Sequence, residues 1–530
     1  MVDGKIKGKT AEQMAKEHKE ISISEFFEKN RHLLGYDNPT RALITIVKEM
    51  VDNSLDACEE GRILPRIWLE VKPTTSERFR VMCKDNGPGI IDKQIPKTMA
   101  KLLVGSKFYK LIQSRGQQGL GIKGAVLYAQ LTSGKPTTFV SSTGKGKTSF
   151  YELMVDVKKN EPKIISHQYI NDGREWHGLK VDMEFEGRYV ESKSGVTEFI
   201  KQVAIANPFA EIIFEGPNGR IEFRRGAMEL PPLPREIKPH PYGVELGIFR
   251  RMIQGTTSRT VKSFLMNDFT RVGSTSAEET CKLAGIDPKV SPKSIDMDNS
   301  EKIFKAMKKI KLLRPPTDCL SPLGEDLMLA GLKKEIKAEF FSSVTRPPAV
   351  YRGNPFQVEV GIAYGGELPI EGGVDIIRLS NRVPLMYQAG DCAITKAITG
   401  TDWKKYGFNQ SGKNLPTGPG IVMVHFASTW VPYTSESKQA VASYPVIIKE
   451  IKLALQEAGR RMQRYVSGKR RFEMHQHRKK IFERYIPEVA EALNKLTKKD
   501  KELLKAKLQK MAKEVTEVKS FEQESEADNV

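Results

Sequence analysis

One short acidic segment constrains this chain more than any other feature. In Glu49-Met-Val-Asp-Asn53-Ser-Leu-Asp56, a turn of 100° per residue puts Glu49, Asp52, Asn53 and Asp56 on one side of a helix. Leu43, Val47, Met50, Val51, Ser54, Leu55 and Cys58 fall on the other side. A helix buried along one stripe that turns three acids and an amide the other way presents oxygen ligands. Such ligands suit a hard cation such as magnesium, which bridges to substrate phosphates. A solvated polar face is the plain alternative, and the next hundred residues decide against it. From Lys93 to Tyr151 there is no Asp or Glu, although charged residues are 28% of the chain. That stretch holds the cluster Gly116-Gln117-Gln118-Gly119-Leu120-Gly121-Ile122-Lys123-Gly124, followed by a helical segment, Ala125–Leu131. Glycines let backbone N–H groups approach an anion, and a helix N-terminus adds partial positive charge. With metal on the acidic helix and phosphates in the acid-free segment, the layout is that of a nucleoside triphosphate site.

Two commoner motifs fail on context. Gly119-Leu-Gly-Ile-Lys-Gly124 fits the dinucleotide pattern, but Gln113–Gln118 does not read as a strand and no acid follows at the ribose-binding distance. Gly146-Lys147-Thr148 ends like a P-loop, but Ser141 stands where the first glycine belongs. Thr143–Thr148 reads instead as the loop of a hairpin between Thr137–Ser142 and Ser149–Val157.

The ordered set Glu49…Asn53, Asp85-x-Gly87-x-Gly89 and Gly116-x-x-Gly119-x-Gly121 resembles the nucleotide boxes of the GHKL ATPases. That resemblance implies a mixed sheet with helices on one face (the Bergerat sandwich), a lid between the glycine boxes, and ATP with Mg2+ as ligands. It implies Glu49 as general base on the attacking water and Asn53 as the metal ligand. Asp85 would accept from the adenine amino group, and Gly89 would make room for the base. Ser106, Lys107 and the run Gly116, Gln117, Gln118, Gly119, Leu120, Gly121, Ile122 and Lys123 would hold the phosphates. Where the family usually places Gly-Thr, this chain has Gly178-Leu179, which leaves a threonine contact at the adenine end open.

The remaining chain divides by composition. An arm over 1–20 is polar and predicted mobile. Ser22-Ile-Ser-Glu25 forms a capping box, and Asn38-Pro39 starts the acidic helix, which Gly61 ends. Strands are predicted at Ile67–Val71, Phe79–Lys84, Tyr151–Val157 and Val181–Phe185, within an ATPase domain over 21–228. Five prolines from Pro231 to Pro241 mark a linker. Short helices follow at Val244–Ile253, Arg259–Phe269, Ala277–Ala284 (capped by Ser276-x-x-Glu279) and Glu301–Leu312, in a domain over 229–314. The turn Thr270-Arg-Val-Gly273 makes this similar to a helix-two-turns-helix module, with Arg250, Arg251 and Arg259 on it. Contact with DNA and a purely packing insert both stay open for it.

Strands return at Phe356–Tyr364, Val374–Leu379 and Ile421–Ala427, in an α/β domain over 315–468. Asn381-Arg-Val-Pro resembles a loop of the transducer domain that follows the ATPase in gyrase and MutL. A lysine at the place of Lys438 there reaches the γ-phosphate, while a surface lysine at a helix start is the plain alternative. From 469 to 530 the chain is predicted as a basic helical extension with an acidic tail. Its stripe Ile486, Val489, Leu493, Leu496, Leu504, Leu508, Met511 and Val515 is predicted to make a partner-helix or coiled-coil contact, with a free tail as the alternative.

A net charge of +20 favours a polyanionic partner such as double-stranded DNA. The five cysteines have no zinc spacing, and no apolar run of membrane-spanning length occurs. A cytoplasmic, nucleoid-associated protein with no membrane contact is expected. The order ATPase, helical insert, transducer and basic extension resembles the B subunits of type IIB DNA topoisomerases (topoisomerase VI) over essentially the whole chain, an α+β multidomain architecture. The resemblance implies ATP-dependent homodimerisation and passage of one duplex through a break made by a separate A subunit, in an A2B2 heterotetramer. Trp403-Lys404-Lys405-Tyr406 is similar to a Trp-Lys-x-Tyr motif there. An exposed loop at Trp403, Lys404 and Tyr406 would meet DNA or the partner, and a buried tryptophan is the other reading. A MutL-like clamp or heat-shock-type chaperone without topoisomerase activity is the competing function.

Overall fold

The computed structural model describes residues 9, 11–18, 21–105, 110–116, 119–144, 147–170, 176–435 and 438–516. In the polar arm, Ala11–Glu17 (α1) is helical where composition predicts a mobile segment. Ser22 accepts from the Glu25 N–H to cap Ile23–Lys29 (α2). Asn38 caps Pro39–Glu60 (α3), the acidic helix, by accepting from the Arg41 N–H. Leu43, Val47, Met50, Val51, Leu55 and Cys58 on its apolar stripe are all buried.

That stripe lies on an eight-stranded sheet among the described residues. Its strands are Arg66–Pro73 (β1), Arg78–Lys84 (β2), Thr137–Thr143 (β3), Thr148–Asp156 (β4), Glu161–Ile170 (β5), His177–Glu186 (β6), Glu211–Gly216 (β7) and Gly219–Phe223 (β8). The spatial order is β5-β4-β3-β6-β2-β1-β7-β8, antiparallel except for β1 beside β7. Ile67, Leu69 and Val71 of β1 and Phe79, Val81 and Cys83 of β2 face the helices, while Trp68 and Arg80 face outward. Ile95–Ala100 (α4), Gly121–Ser133 (α5) and Val196–Ala206 (α6) complete the helical layer. Neither β5, an exposed edge strand, nor the short β7 and β8 carries a period that predicts it.

Leu246–Gly255 (α7), Val261–Asp268 (α8), Ser274–Ala284 (α9) and Met297–Lys309 (α10) enclose a separate core around Phe249, Phe264, Phe269 and Ile303. The capping expectation is corrected here. Ser276 lies inside α9, which follows Gly273, and the reciprocal box is formed by Thr260 and Ser263 at α8.

The last domain begins with Gly324–Glu335 (α11), which the strand pattern does not predict. Its six-stranded sheet comprises Phe340–Thr345 (β9), Ala349–Tyr351 (β10), Asn354–Tyr364 (β11), Asp375–Ser380 (β12), Val383–Pro384 (β13) and Gly420–Ser428 (β14). Central strand β11 is buried on both faces. Val358, Val360 and Ile362 face the core shared with Ala393–Thr399 (α12) and Pro445–Thr497 (α13). Ala363, on the other face, joins Ile205 and Ala206 of α6 and Met328 and Leu332 of α11 in a cluster that seals the two sheet domains together. Gly331 is required at that contact, because a Cβ there would stand 2.0 Å from the Ile205 carbonyl oxygen.

The C-terminal region is helical, as its spacing predicts, but continuous with the domain before it. Helix α13 runs unbroken for 53 residues through the expected boundary at 468/469, a length of about 80 Å. The apolar stripe then meets itself. Lys501–Thr516 (α14) folds back so that Leu508 and Met511 face Ile486 and Val489 across an apolar crevice, a helix-to-helix contact made within the chain.

Candidate functional site

A cavity of about 350 Å³ lies between the α3–α5 layer and the α/β domain. Glu49, Asn53, Asp85, Gly89, Gly116, Gly119, Leu120, Gly121, Ile122, Lys123 and Lys438 all line it. Ser106, Lys107, Gln117 and Gln118 lie outside the described residues. Asp52 departs from its helical neighbours. It does not line the cavity, is 6% exposed, and its Oδ1 has no hydrogen-bond partner. Burial pushes its carboxyl up to about 7, with Glu49 adding to the effect against the pull of Lys48.

At one end β2 delivers Asp85, 4% exposed and held on all sides. Its Oδ1 accepts from the N–H groups of Gly87 (2.9 Å) and Leu179 (3.1 Å), and its Oδ2 from the Ser54 hydroxyl (2.9 Å). The Leu179 side chain offers no hydroxyl, and it is the backbone N–H of this residue that reaches Asp85. Burial raises the Asp85 carboxyl, against the lowering effect of the Gly87 and Leu179 N–H groups and the Ser54 hydroxyl. Gly89 (φ 73°) and Gly178 (φ 139°) allow two strands to close here. A Cβ on Gly89 would sit 2.2 Å from the Ser142 carbonyl oxygen, and one on Gly178 2.1 Å from that of Asp85. Ser54 is a functional neighbour that motif spacing does not find, and the close approach of Gly178 to the Asp85 backbone shows only in the fold. A serine on the apolar stripe of an amphipathic helix is the one available signal for Ser54.

At the other end α5 begins beside Glu49. A Cβ on Gly121 would lie 1.8 Å from Glu49 Oε2, so any larger residue there would displace the Glu49 carboxylate. Leu120 at its cap supplies no side-chain acceptor, which leaves the first N–H groups of α5 available to an anion. Lys123 is buried at the cavity wall and donates to the Val104 carbonyl. Burial brings its ammonium down to about 8.

Lys438 enters from the α/β domain with a left-handed backbone (φ 52°), and its Nζ donates to the Arg115 carbonyl at 2.9 Å, beside Gly116. Burial lowers its pKa, with Glu49 pulling the other way. A surface lysine at a helix start is therefore excluded: Lys438 lines the cavity seven residues before α13 begins. The Arg115 side chain fixes the same segment from below. It binds Asp56 Oδ1 (2.7 Å), Glu59 Oε1 (2.5 Å) and Asn207 Oδ1 (2.6 Å). The other Glu59 oxygen accepts from Arg382 at 2.7 Å. One buried carboxylate of α3 thus holds an arginine from the glycine-rich segment and another from the α/β domain.

The donor set fits a magnesium nucleotide. Hard oxygens of Glu49 and Asn53 face the cavity, and glycines stand where any side chain would fill it. The expected nucleic-acid contacts fare differently. Trp403 is corrected: it is fully buried, its indole N–H donating to the Ile398 carbonyl at 2.8 Å. Tyr406 packs under Gly459 of α13, and Lys404 alone of the three is exposed. Arg250 is engaged with Ser300 Oγ and the Met297 carbonyl, whereas Arg251 and Arg259 are exposed.

Fold and cavity together define a GHKL-type ATPase joined to a transducer. Residues 38–159 match the family of histidine kinase-, DNA gyrase B- and HSP90-like ATPases, and residues 315–479 match the transducer of the topoisomerase VI B subunits. The chain is 46% identical over 493 residues to the B subunit of type 2 DNA topoisomerase 6 from Methanosarcina barkeri, covering 92% of this chain and 79% of that one. Its namesake from Archaeoglobus fulgidus is 44% identical, with coverages of 92% and 81%. That of Thermococcus onnurineus is 41% identical over 542 residues, with coverages of 93% and 95%. The chain belongs to the family of type 2 DNA topoisomerase 6 B subunits.

Proposed function

We propose that this chain is the ATP-driven subunit of a type IIB DNA topoisomerase, with the cavity as its ATPase site. One observation carries the reading: the acidic helix, both glycine-rich segments and a transducer lysine line a single cavity. Family membership favours this over a chaperone or a clamp without topoisomerase activity.

ATP is the substrate. Asp85, pinned by three donors, would accept from the adenine amino group, and Gly89 would give the ring room. The free N–H groups at the start of α5, with Lys123, would cradle the phosphates. Asn53 would hold Mg2+, which would supply charge neutralisation along the phosphate chain. Glu49, against Gly121, stands where a carboxylate can take the proton from a water attacking the γ-phosphate. Lys438 would trade the Arg115 carbonyl for the γ-phosphate. That contact exists with ATP and not with ADP, so it gives the transducer a differential affinity for two states, and only such a difference shifts a conformational equilibrium.

The roles beyond ATP turnover follow from the same family: pairing of two copies on ATP, docking on a DNA-cleaving A subunit in an A2B2 assembly, and contact with the duplex. No helix among the described residues is long and apolar enough to cross a membrane. The net charge of +20 supports an anionic partner. The deciding experiment is a supercoil-relaxation assay with the A subunit present or omitted. ATP-dependent relaxation only in its presence is expected. ATP hydrolysis without relaxation under either condition would favour the clamp.

A further inference from the structure

Behind the cavity wall, a line of buried polar contacts continues away from the nucleotide and ends on α13. Asn381 and Arg382, both left-handed (φ 46° and 65°), form the loop between β12 and β13. The Asn381 amide donates to the Ser114 carbonyl at 3.1 Å, and the Arg382 guanidinium reaches Glu59. The Arg382 backbone N–H donates to His425 Nε2 at 3.0 Å. A ring nitrogen that accepts an N–H carries no proton, so His425 Nδ1–H donates to Glu359 Oε2, 2.7 Å away. His425 and Glu359 are both 0% exposed and stand directly opposite each other on β14 and β11.

Glu359 spends its remaining capacity on α11. Its two oxygens accept from the N–H groups of Leu323 (2.9 Å) and Gly324 (2.7 Å), and Oε1 also accepts from the Thr345 hydroxyl. The next residue, Glu325, accepts from Arg461 of α13 at 2.9 Å, and Arg461 also donates to the Ser343 carbonyl. A fully buried carboxylate and imidazole are costly unless every polar atom is satisfied. Apart from the Thr345 hydroxyl of β9, their side-chain bonds lead from the Arg382 loop to the start of α11. A sheet that needed only stability would be served by apolar residues at both positions.

We propose that Arg382, His425, Glu359 and Arg461 form a positioning relay that transmits the state of the nucleotide cavity to helix α13. A shift of the Gly116 segment on loss of the γ-phosphate moves Arg115 and Glu59, and with them the Arg382 loop. His425 and Glu359, bonded at both ends, pass that displacement to the first turn of α11, and the Glu325–Arg461 pair passes it to α13. Spatial continuity alone does not demonstrate coupling, so the relay stands on a measured change in it. The inference rests on the ATP-driven reading above.

The test uses the full chain with spin labels on Ile164→Cys and Met474→Cys, both exposed sites, diluted with unlabelled protein. The native cysteines are all buried and leave labelling to the introduced pair. The distance between labels is read with a non-hydrolysable ATP analogue and with ADP. His425→Asn keeps a donor for Glu359 but is too short to reach the Arg382 N–H. Arg461→Gln cuts the far end at a half-exposed site, where misfolding is not at issue. Both variants are expected to bind and hydrolyse ATP like the parent. They should lose most of the nucleotide-dependent distance change, and relaxation with the A subunit should fall about tenfold. A full distance change in Arg461→Gln, or in a folded His425→Asn, overturns the relay. A parent chain that binds no ATP would overturn the ATPase reading instead.

Discussion

The nucleotide cavity and the helical insert both carry many charged residues, and they use them in opposite ways. In the cavity, charges from α3, from the segment around Arg115 and from the transducer converge on one volume, and burial moves Asp85, Lys123 and Lys438 from their ordinary pKa values. In the insert, Arg250 is absorbed by Ser300 and Met297, Lys262 pairs with Glu278, and Arg271 serves the Arg314 carbonyl. Only Arg251 and Arg259 of the three expected DNA contacts stand free at the surface. Charge count marks neither region as a site; convergence of charge from separate segments does.

The comparison breaks first if Glu49 is dispensable. Glu49→Ala should retain ATP binding and lose turnover by about 10²–10⁴-fold, the contribution of a positioned general base. Single-turnover hydrolysis checks this, and a normal rate would reassign the base. Next in size is the shared carboxylate. Glu59→Ala leaves Arg115 and Arg382 facing each other across a buried void, and should cost about 3–5 kcal/mol in denaturant unfolding. A loss under about 1 kcal/mol would mean that the two arginines find other partners.

For the insert, neutralising Arg251 or Arg259 should lower the slope of log affinity against log salt for duplex DNA by about one each. Arg250→Gln should leave that slope unchanged and lower the melting temperature instead. A reversed pattern would move the DNA surface to the α10 side of the insert. The smallest effect is a fraction of a proton. Burial holds Lys123 at about 8, so its charge costs stability below that pH, and the cost fades as pH rises towards its unfolded value. A bound phosphate favours the charged form and raises the pKa again. ATP binding between about pH 8 and 9 should therefore take up protons, and Lys123→Met should reduce the uptake to the share that Lys438 contributes. Calorimetry in buffers of different ionisation enthalpy reads it directly.

Sequence made the cavity legible because its parts are local. A helix period, a strand ending in Asp85 and two glycine clusters each declare themselves within a dozen residues. The parts that close it are not local. Ser54 reads as an ordinary member of an apolar stripe, and the packing of Gly178 against the Asp85 carbonyl shows only once β2 and β6 are paired. The same limit explains Trp403. An aromatic between charged residues leaves the exposed and buried readings both open until α12 is known to offer it the Ile398 carbonyl. Helix α11 was illegible because the strands of its own sheet and the α6 residues that cover its apolar side chains come from distant stretches of chain, and the stripe on α13 has the same period whether its partner is foreign or its own α14. Lys438 was placed by resemblance alone, and no property of Ser435–Ala442 distinguishes a cavity lysine from a surface one.

The central claim is that a transducer lysine reads the γ-phosphate in a cavity built by another domain. Its most direct test compares the affinities of the parent chain and Lys438→Ala for ADP and for a non-hydrolysable ATP analogue. The parent should prefer the ATP analogue. The variant should bind ADP as the parent does and lose that preference, because the Lys438 contact is made to the terminal phosphate alone. Equal weakening for both nucleotides would show that Lys438 holds the inner phosphates or the cavity wall, and would contradict the account.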